Sequence, residues 1–155
     1  MNTQTNKSLW SLAFAFLMAF TMFGSAQAAN GINAKDGVAI KGYDTVAYFT
    51  QGKAVKGNRK FAASYKGNNW YFSSQDHLNK FAANPAAYAP QYGGYCAFAA
   101  SRNSIAPVDP TAWSIVNNKL YLNFSKSVRG TWKEDTNGNI QAADRNWPSL
   151  VKQVQ

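Results

Sequence analysis

His77 and Cys96 are the two residues of this chain best suited to do chemistry, because the sequence has one histidine and one cysteine. The three methionines, Met1, Met18 and Met22, lie near the N-terminus. This composition excludes an internal disulfide, a four-ligand Cys/His zinc site in one chain, a two-histidine copper site, a CxxC redox pair and a CxxCH haem attachment. The chain contains the one cysteine and one histidine that a Cys–His pair for acyl transfer requires, but no oxyanion loop or orienting Asn or Asp can be assigned to such a pair.

His77 and Cys96 could also act together as ligands of a transition-metal ion. They flank one proline-containing segment, and Asp44, Asp76, Asp109 or a tyrosinate could complete a copper, zinc or iron site around them. In a homodimer, two chains on a twofold axis would instead pool two imidazoles and two thiolates. The alternatives are a His77 that bonds to a nearby tyrosine or backbone group, and a Cys96 that is buried as a small hydrophobic residue. No helix start can be placed at Cys96, and no cation adjoins it in sequence.

The first 28 residues have the features of a cleaved export signal. Lys7 precedes the largely apolar run Leu9–Phe23, and Gly24–Ala28 ends in the small-x-small pattern of a signal-peptidase site. The apolar run is too short for the roughly 30 Å hydrocarbon core of a membrane, and no stop-transfer cluster follows it. We therefore expect a periplasmic or secreted protein that does not span a membrane, with residues 29–155 forming one domain. In that compartment a lone cysteine must be buried, ligated or joined to another molecule.

The chain is basic, with 16 Lys and Arg, 7 Asp and Glu and a formal net charge of +9. Lys53, Lys56, Arg59 and Lys60 cluster in a glycine-rich stretch, and the other cations are spread along the sequence. Because no basic helix or basic-aromatic pattern typical of nucleic-acid binding is visible, we expect no nucleic-acid partner. We interpret the charge as a solvated basic face that could touch an anionic surface or an envelope protein.

Two hairpins are predicted to form the framework. The first hairpin consists of two strands, Phe61–Tyr65 and Trp70–Phe72, joined by turn residues 66–69. The second consists of Ala112–Val116 and Lys119–Phe124, joined by Asn117-Asn118. Residues 38–40 are typical of a short strand, and Gly93-Gly94 predicts backbone that passes close to another element.

Short helices are predicted to cover these hairpins. We expect them to follow Asp44, to follow Ser73 or Ser74 as far as Asn84, to run from Ser125 to about Asp135, and to run from Asn139 to Asn146. Residues 85–88 are predicted as a turn. The sum is an α+β fold in which small antiparallel β-hairpins pack with short helices in a single domain.

Aromatic residues are abundant, with 8 Tyr, 10 Phe and 5 Trp. Most of them are expected to fill the core of a domain otherwise rich in alanine and glycine. The alternative is a cleft in which tyrosine rings and lysines hold a planar or anionic ligand such as haem or a quinone. After removal of the signal, one histidine and no methionine would leave haem iron with a single conventional ligand, so a metal ion is favoured over haem.

The segment Tyr65–His77, followed by Phe81 and Asn84–Tyr88, resembles the YHS domain family, whose core is a hairpin, a helix that starts at the next serine, and P-x-x-Y. Further motifs resemble an exported single-domain branch of that family: Gly42–Phe49, Pro90–Ala97, Asp109–Trp113, Leu120–Asn123 and Asn146–Pro148. The resemblance covers nearly all of residues 29–155.

Many YHS domains resemble TRASH-type metal-sensing modules with one cysteine just after the hairpin and another four residues later, where this chain has Ser73 and His77. The resemblance thus implies an exported binding protein without catalysis of its own, possible ligands being a copper, zinc or iron ion or another small molecule. The candidate metal ligands are His77, Cys96, Asp44 and Asp109. The alternatives are a structural or interaction protein of the cell envelope with a packed Cys96, and a thiol-dependent enzyme.

Overall fold

The computed structural model describes residues 30–155, so the predicted signal, residues 1–28, lies outside the described residues. One sheet contains β1 (Ala34–Lys35), β2 (Val38–Ala39), β3 (Asn58–Tyr65) and β4 (Asn68–Phe72) in the order β1-β2-β4-β3. Its pairings are antiparallel except for the short parallel contact between β2 and β4. A second, antiparallel sheet contains β5 (Asp109–Val116) and β6 (Lys119–Asn123). The parallel contact and the short strand β1 were not predicted from the sequence.

The helices of the described chain are α1 (Ala47–Thr50), α2 (Gln75–Ala83), α3 (Pro85–Tyr88), α4 (Ala97–Ser101), α5 (Lys126–Glu134) and α6 (Thr136–Leu150). Short 3-10 turns occupy Ile40–Gly42, Gln91–Gly94 and Val151–Gln153. Mixed sheets and helices confirm the predicted α+β class. Over residues 30–155, no helix has both the length and the apolar character needed to cross a membrane.

Both predicted hairpins are present and turn through two left-handed residues. The φ angles are 47° at Lys66 and 70° at Gly67 in the first turn, and 49° at Asn117 and 57° at Asn118 in the second. Two consecutive positive φ angles are typical of the tight turn whose twist matches that of the flanking strands. In the first hairpin β4 already begins at Asn68, so part of the predicted turn belongs to the strand.

Serine caps position two of the helices, as predicted. The Ser74 hydroxyl accepts a hydrogen bond from the backbone N–H of His77 at 3.2 Å, and Ser125 accepts from Val128 at 3.1 Å. These bonds satisfy amide groups that the first turn of a helix leaves unpaired. The cap at Ser74 fixes His77 in the first turn of α2.

The bounds predicted for the last helix, residues 139–146, were wrong. α6 begins at Thr136 because Asp135 accepts from the backbone N–H of Gly138 at 2.9 Å. It continues through Pro148 because Leu150, which is 1% exposed, is buried in a core cluster and holds the last turn in place. A proline so near the end of a helix interrupts little of its hydrogen bonding.

Two further segments differ from the prediction. Residues 85–88 form the one-turn helix α3, which begins with Pro85 as its first residue, a position that suits proline. Helix α4 begins at Ala97, directly after Cys96, where the sequence indicated no helix start. The predicted close approach at the glycine pair is confirmed, since a Cβ atom at Gly93 would lie 1.7 Å from the carbonyl oxygen of Gly31.

Aromatic rings fill two buried clusters, as predicted. In the first, the ring of Phe81 lies 5.1 Å from that of Trp70 and 4.9 Å from that of Phe72, measured between centroids. In the second, the rings of Tyr121 and Trp132 are 5.3 Å apart. The first cluster fixes α2 against β4, and the second fixes α6 and α5 against β6.

Candidate functional site

Asp44 and His77 are the two candidate ligands that the structure brings together. Oδ2 of Asp44 lies 2.6 Å from Nδ1 of His77, and the residues are 0% and 6% exposed. His77 is held in the first turn of α2, while Asp44 lies just before α1. The contact therefore joins two elements that are far apart in sequence.

The Asp44 carboxylate accepts hydrogen bonds from further donors. Oδ1 accepts from the backbone N–H groups of Val46 at 3.0 Å and Ala47 at 3.1 Å, so Asp44 bonds the amides at the start of the first helix, although the N-cap position itself is Val46. Oδ2 accepts from the N–H of Ser73 at 2.8 Å and from its hydroxyl at 2.6 Å, in addition to His77. With both oxygens engaged in this way, the carboxylate has little capacity left to coordinate a metal ion.

The second ring nitrogen of His77 faces a hydroxyl group. Nε2 lies 3.1 Å from Oγ1 of Thr50, and the same hydroxyl is a donor to the carbonyl oxygen of Val46 at 3.1 Å. The order Asp44, His77, Thr50 is that of a hydroxyl-activating triad. However, the bond from Thr50 to the carbonyl four residues earlier is the usual local bond of a helical threonine. The geometry thus describes a cluster that fastens α1 to the start of α2.

Cys96 has partners on β6 and beyond it, and not on α2. Its thiol donates to Oδ1 of Asn123 at 3.6 Å, and its sulfur accepts from the backbone N–H of Phe124 at 3.3 Å. The residue is free of disulfide bonding, 2% exposed and packed in the first core cluster. This is the environment of a packed cysteine rather than of an accessible nucleophile.

The remaining candidate ligands also have partners of their own. Asp109 accepts from the backbone N–H and the hydroxyl of Thr111, both at 2.8 Å, and these bonds hold the pKa of Asp109 below its usual range. Asp76 is exposed and pairs with Lys80, whose hydrogen bond lowers the pKa of that carboxyl. Burial raises the pKa of the Tyr48 phenol well above its ordinary value, so this residue is not a tyrosinate ligand at neutral pH.

The donors present do not fit a copper, zinc or iron site within one chain. In the part of the chain that the structure describes, no three His, Cys, Asp or Glu side chains form a group that could hold a metal ion. Asp44 and His77 are bonded to each other, while Cys96 and Asp109 bond elsewhere. A site shared by two copies would need imidazoles and thiols at the surface, and both residues are buried.

A groove that the sequence did not localise lies between the tip of the first hairpin, the turn Gln91–Gly94 and the end of α6. It has a volume of about 510 Å³, within the range typical of small-molecule sites. Its lining residues are Tyr65, Lys66, Ala86, Ala89, Pro90, Gln91, Tyr92, Gly93, Lys119, Asp144, Trp147 and Pro148. Because they come from distant parts of the chain, no local pattern could have identified them. We call this feature the α6 groove.

Aromatic contacts fix the rings of the α6 groove. The Trp147 ring lies 5.9 Å from that of Tyr92 and 6.3 Å from that of Tyr95, and it stays half-buried. The Tyr65 ring is held at 5.9 Å from the ring of Trp70. The rings that line the groove are thus held in place by neighbouring rings.

The charged side chains of the groove differ in whether other side chains of the protein bind to them. Within residues 30–155, the close contacts between basic and acidic side chains are Asp44–His77 and Asp76–Lys80, so neither Lys66 nor Lys119 has an acidic partner. Asp144, in contrast, accepts the phenolic hydrogen of Tyr92 at 2.9 Å. Burial, followed by this bond, raises the pKa of Tyr92 well above its ordinary value and keeps the phenol a donor.

Residues 46–92 match the family model of the YHS domain. The matched segment contains His77 and extends from just before α1 to Tyr92 in the groove. Asp44, Cys96 and Asp109 lie outside it, as do most of the motifs that resemble an exported branch. No curated protein and no solved structure matches the chain.

Proposed function

From the YHS domain that this chain carries over residues 46–92, we propose an exported binding protein without catalysis of its own, which holds a small organic ligand in the α6 groove. The supporting observation is the groove itself, with its volume of about 510 Å³, its fixed aromatic rings and its lysines that form no ion pair with a described residue. Export to the periplasm or outside the cell rests on the predicted signal, residues 1–28. The burial and hydrogen bonding of the Cys96 thiol argue against thiol-dependent catalysis and in this respect support the proposal.

The Asp44–His77 cluster is not the ligand site in this proposal. Its carboxylate accepts hydrogen bonds from three backbone N–H groups and one hydroxyl besides His77, so a ligand could reach it only by displacing internal bonds. Losing such bonds without replacement costs about 1–3 kcal/mol for each buried group. The groove lysines, by contrast, have no ion pair to break.

The proposal can be tested by two-dimensional NMR of the mature protein titrated with three naphthalene probes: naphthalene-2-carboxylate, 2-naphthylmethylammonium and 2-naphthylmethanol. We expect saturable shifts at the indole N–H of Trp147 and the backbone amides of Lys66 and Lys119 with at least one probe. Ala86→Phe, which fills the groove, should abolish them. Ala87→Phe is the matched control, since Ala87 is exposed on the same helix but does not line the groove.

Shifts that spread evenly over the protein, or that persist in Ala86→Phe, would contradict a ligand site in the groove. So would the absence of saturable shifts with all three probes. An interaction protein of the envelope that docks through its basic surface would show this last result.

A transition-metal ion is the second candidate ligand, favoured by the metal binding that the YHS resemblance implies. Equilibrium dialysis with Cu(I), Cu(II), Zn(II) and Fe(II) tests it by comparing the wild type with a His77→Ala/Cys96→Ser variant whose fold is checked by circular dichroism. Since the four candidate ligands do not gather, we expect equal metal binding by the two proteins. Stoichiometric binding that is lost in the folded double variant would restore His77 and Cys96 as ligands.

A further inference from the structure

We propose that the ligand of the α6 groove is an anion carrying a planar ring, held by Lys66 and Lys119 through its charge and by Trp147 through its ring. This inference rests on the proposed function, because it assigns a ligand class to the same groove. Three observations lead to it: the charge balance of the lining, the arrangement of the rings, and the internal bond that engages the acidic group.

The charge balance favours an anion. Lys66 and Lys119 lie on different hairpins, at the turn of one and at the first residue of β6 in the other, and the fold brings both to the groove. Neither forms an ion pair with a described residue, so each ammonium group has kept its capacity for charged hydrogen bonds. Hydrogen bonds to a charged group contribute more than neutral ones.

The single carboxylate of the lining does not cancel this preference. Oδ1 of Asp144 accepts from the hydroxyl of Tyr92, whose oxygen also lies 3.4 Å from the carbonyl oxygen of Ile140. The carboxylate therefore serves to hold the Tyr92 ring in position. Two cations against one partly engaged anion leave the lining with a net positive charge.

The rings favour a planar ligand. Trp147 contacts Tyr92 and Tyr95 and is half-buried, so part of its surface faces the groove while the rest is held by neighbours. Pro90 and Pro148 add rigid apolar surface to the same lining. A flat ring placed against an indole gains ring-stacking energy in addition to the energy of burying its apolar area.

The three naphthalene probes distinguish this inference from the proposed function, because they share one ring system and differ in charge. We expect naphthalene-2-carboxylate to bind at least about tenfold more tightly than 2-naphthylmethylammonium, with the neutral alcohol between them, since one charged hydrogen bond corresponds to about that factor. Cyclohexanecarboxylate, which has the charge without the planar ring, should bind more weakly than the naphthalene acid. Added salt should weaken only the binding of the acids.

Charge-removing variants identify the groups responsible. Lys66→Gln/Lys119→Gln should weaken binding of naphthalene-2-carboxylate about tenfold or more and leave the neutral alcohol unchanged. Lys133→Gln, an exposed lysine of α5 outside the groove, is the matched control and should bind as the wild type does.

The outcomes separate the two proposals. Saturable groove binding in which the ammonium probe binds as tightly as the carboxylate would overturn the anionic class and leave a groove that binds organic ligands. Equal binding of naphthalene-2-carboxylate and cyclohexanecarboxylate would overturn the planar ring. No groove binding by any probe would overturn both proposals.

Discussion

Nδ1 of His77 lies 2.6 Å from Oδ2 of Asp44, and this contact between two buried side chains joins the start of α2 to the segment before α1. The two residues that the sequence presented as candidate metal ligands thus have a structural role in the fold. We propose the lysines and rings of the α6 groove, and not this pair, as the groups that meet a ligand.

Asp44→Asn tests that structural role. The substitution keeps the side chain's size but replaces one carboxylate oxygen, an acceptor, with an NH₂ group that faces the same N–H and O–H donors. We therefore expect a loss of about 2–4 kcal/mol in the free energy of unfolding. Urea denaturation followed by circular dichroism measures it. Glu134→Gln, an exposed acid near the end of α5, is the control and should change stability by less than about 0.5 kcal/mol. Similar values for the two variants would contradict a structural role for Asp44.

The close approach at the glycine pair predicts a large difference between two glycine substitutions. Gly93 and Gly52 have φ angles of 59° and 61°, but a Cβ atom would meet the Gly31 carbonyl oxygen at 1.7 Å in the first case and nothing within 4 Å in the second. Gly52→Ala should therefore cost about 1–2 kcal/mol of stability from its backbone conformation alone. Gly93→Ala should cost at least about 3 kcal/mol, because a steric clash is added. Equal melting temperatures for the two variants would disprove the close approach.

The Cys96 thiol should be unreactive in the folded protein. Because it is 2% exposed and bonded to Asn123 and Phe124, we expect an aromatic disulfide reagent to titrate it only after unfolding in urea. A Cys96→Ser/Ser127→Cys variant, whose thiol would lie on the exposed side of α5, should react at once and serves as the control. Rapid labelling of native Cys96 accompanied by loss of an activity would instead favour a thiol-dependent enzyme.

Tyrosine ionisation should destabilise the fold at alkaline pH. Burial raises the pKa values of Tyr48, Tyr92, Tyr95 and Tyr121, and Asp144 adds to the effect at Tyr92. A pKa that is higher in the folded than in the unfolded chain gives stability that is full below about pH 10 and is lost as the pH rises further. Absorbance titration should show a fraction of the 8 tyrosines ionising late in native protein and together with the rest in urea. A single native transition at the pH found in urea would contradict this prediction.

The carboxylate of Asp109 should contribute stability in the opposite pH direction. Its bonds from Thr111 lower its pKa, so the contribution is present above about pH 4 and is lost as the pH falls through the lowered value. Asp109→Asn should therefore be less stable than the wild type at neutral pH, by less than about 1 kcal/mol because solvent screens this carboxylate. The difference should shrink in acid. A difference in urea stability that grows on acidification would show that the assigned direction is wrong.

Local sequence rules predicted the elements whose causes are local. Both hairpins formed at their two-residue turns, and Ser74 and Ser125 cap the expected helices. These features depend on hydrogen bonds and φ preferences within a few residues, which a sequence pattern records directly. The end of α6 escaped prediction because burial of Leu150, a tertiary contact, outweighs the local effect of Pro148.

The same distinction between local and tertiary causes applies to the candidate site. The sequence by itself determined which side chains exist to do chemistry: one imidazole, one thiol and an excess of lysines. Only the tertiary structure decided that His77 bonds to Asp44, that Cys96 is packed against β6, and that the groove lysines form no ion pair with a described residue. The physical reason is that a side chain's role depends on its partners and its contact with water, and the folded chain brings these from segments that are distant in sequence.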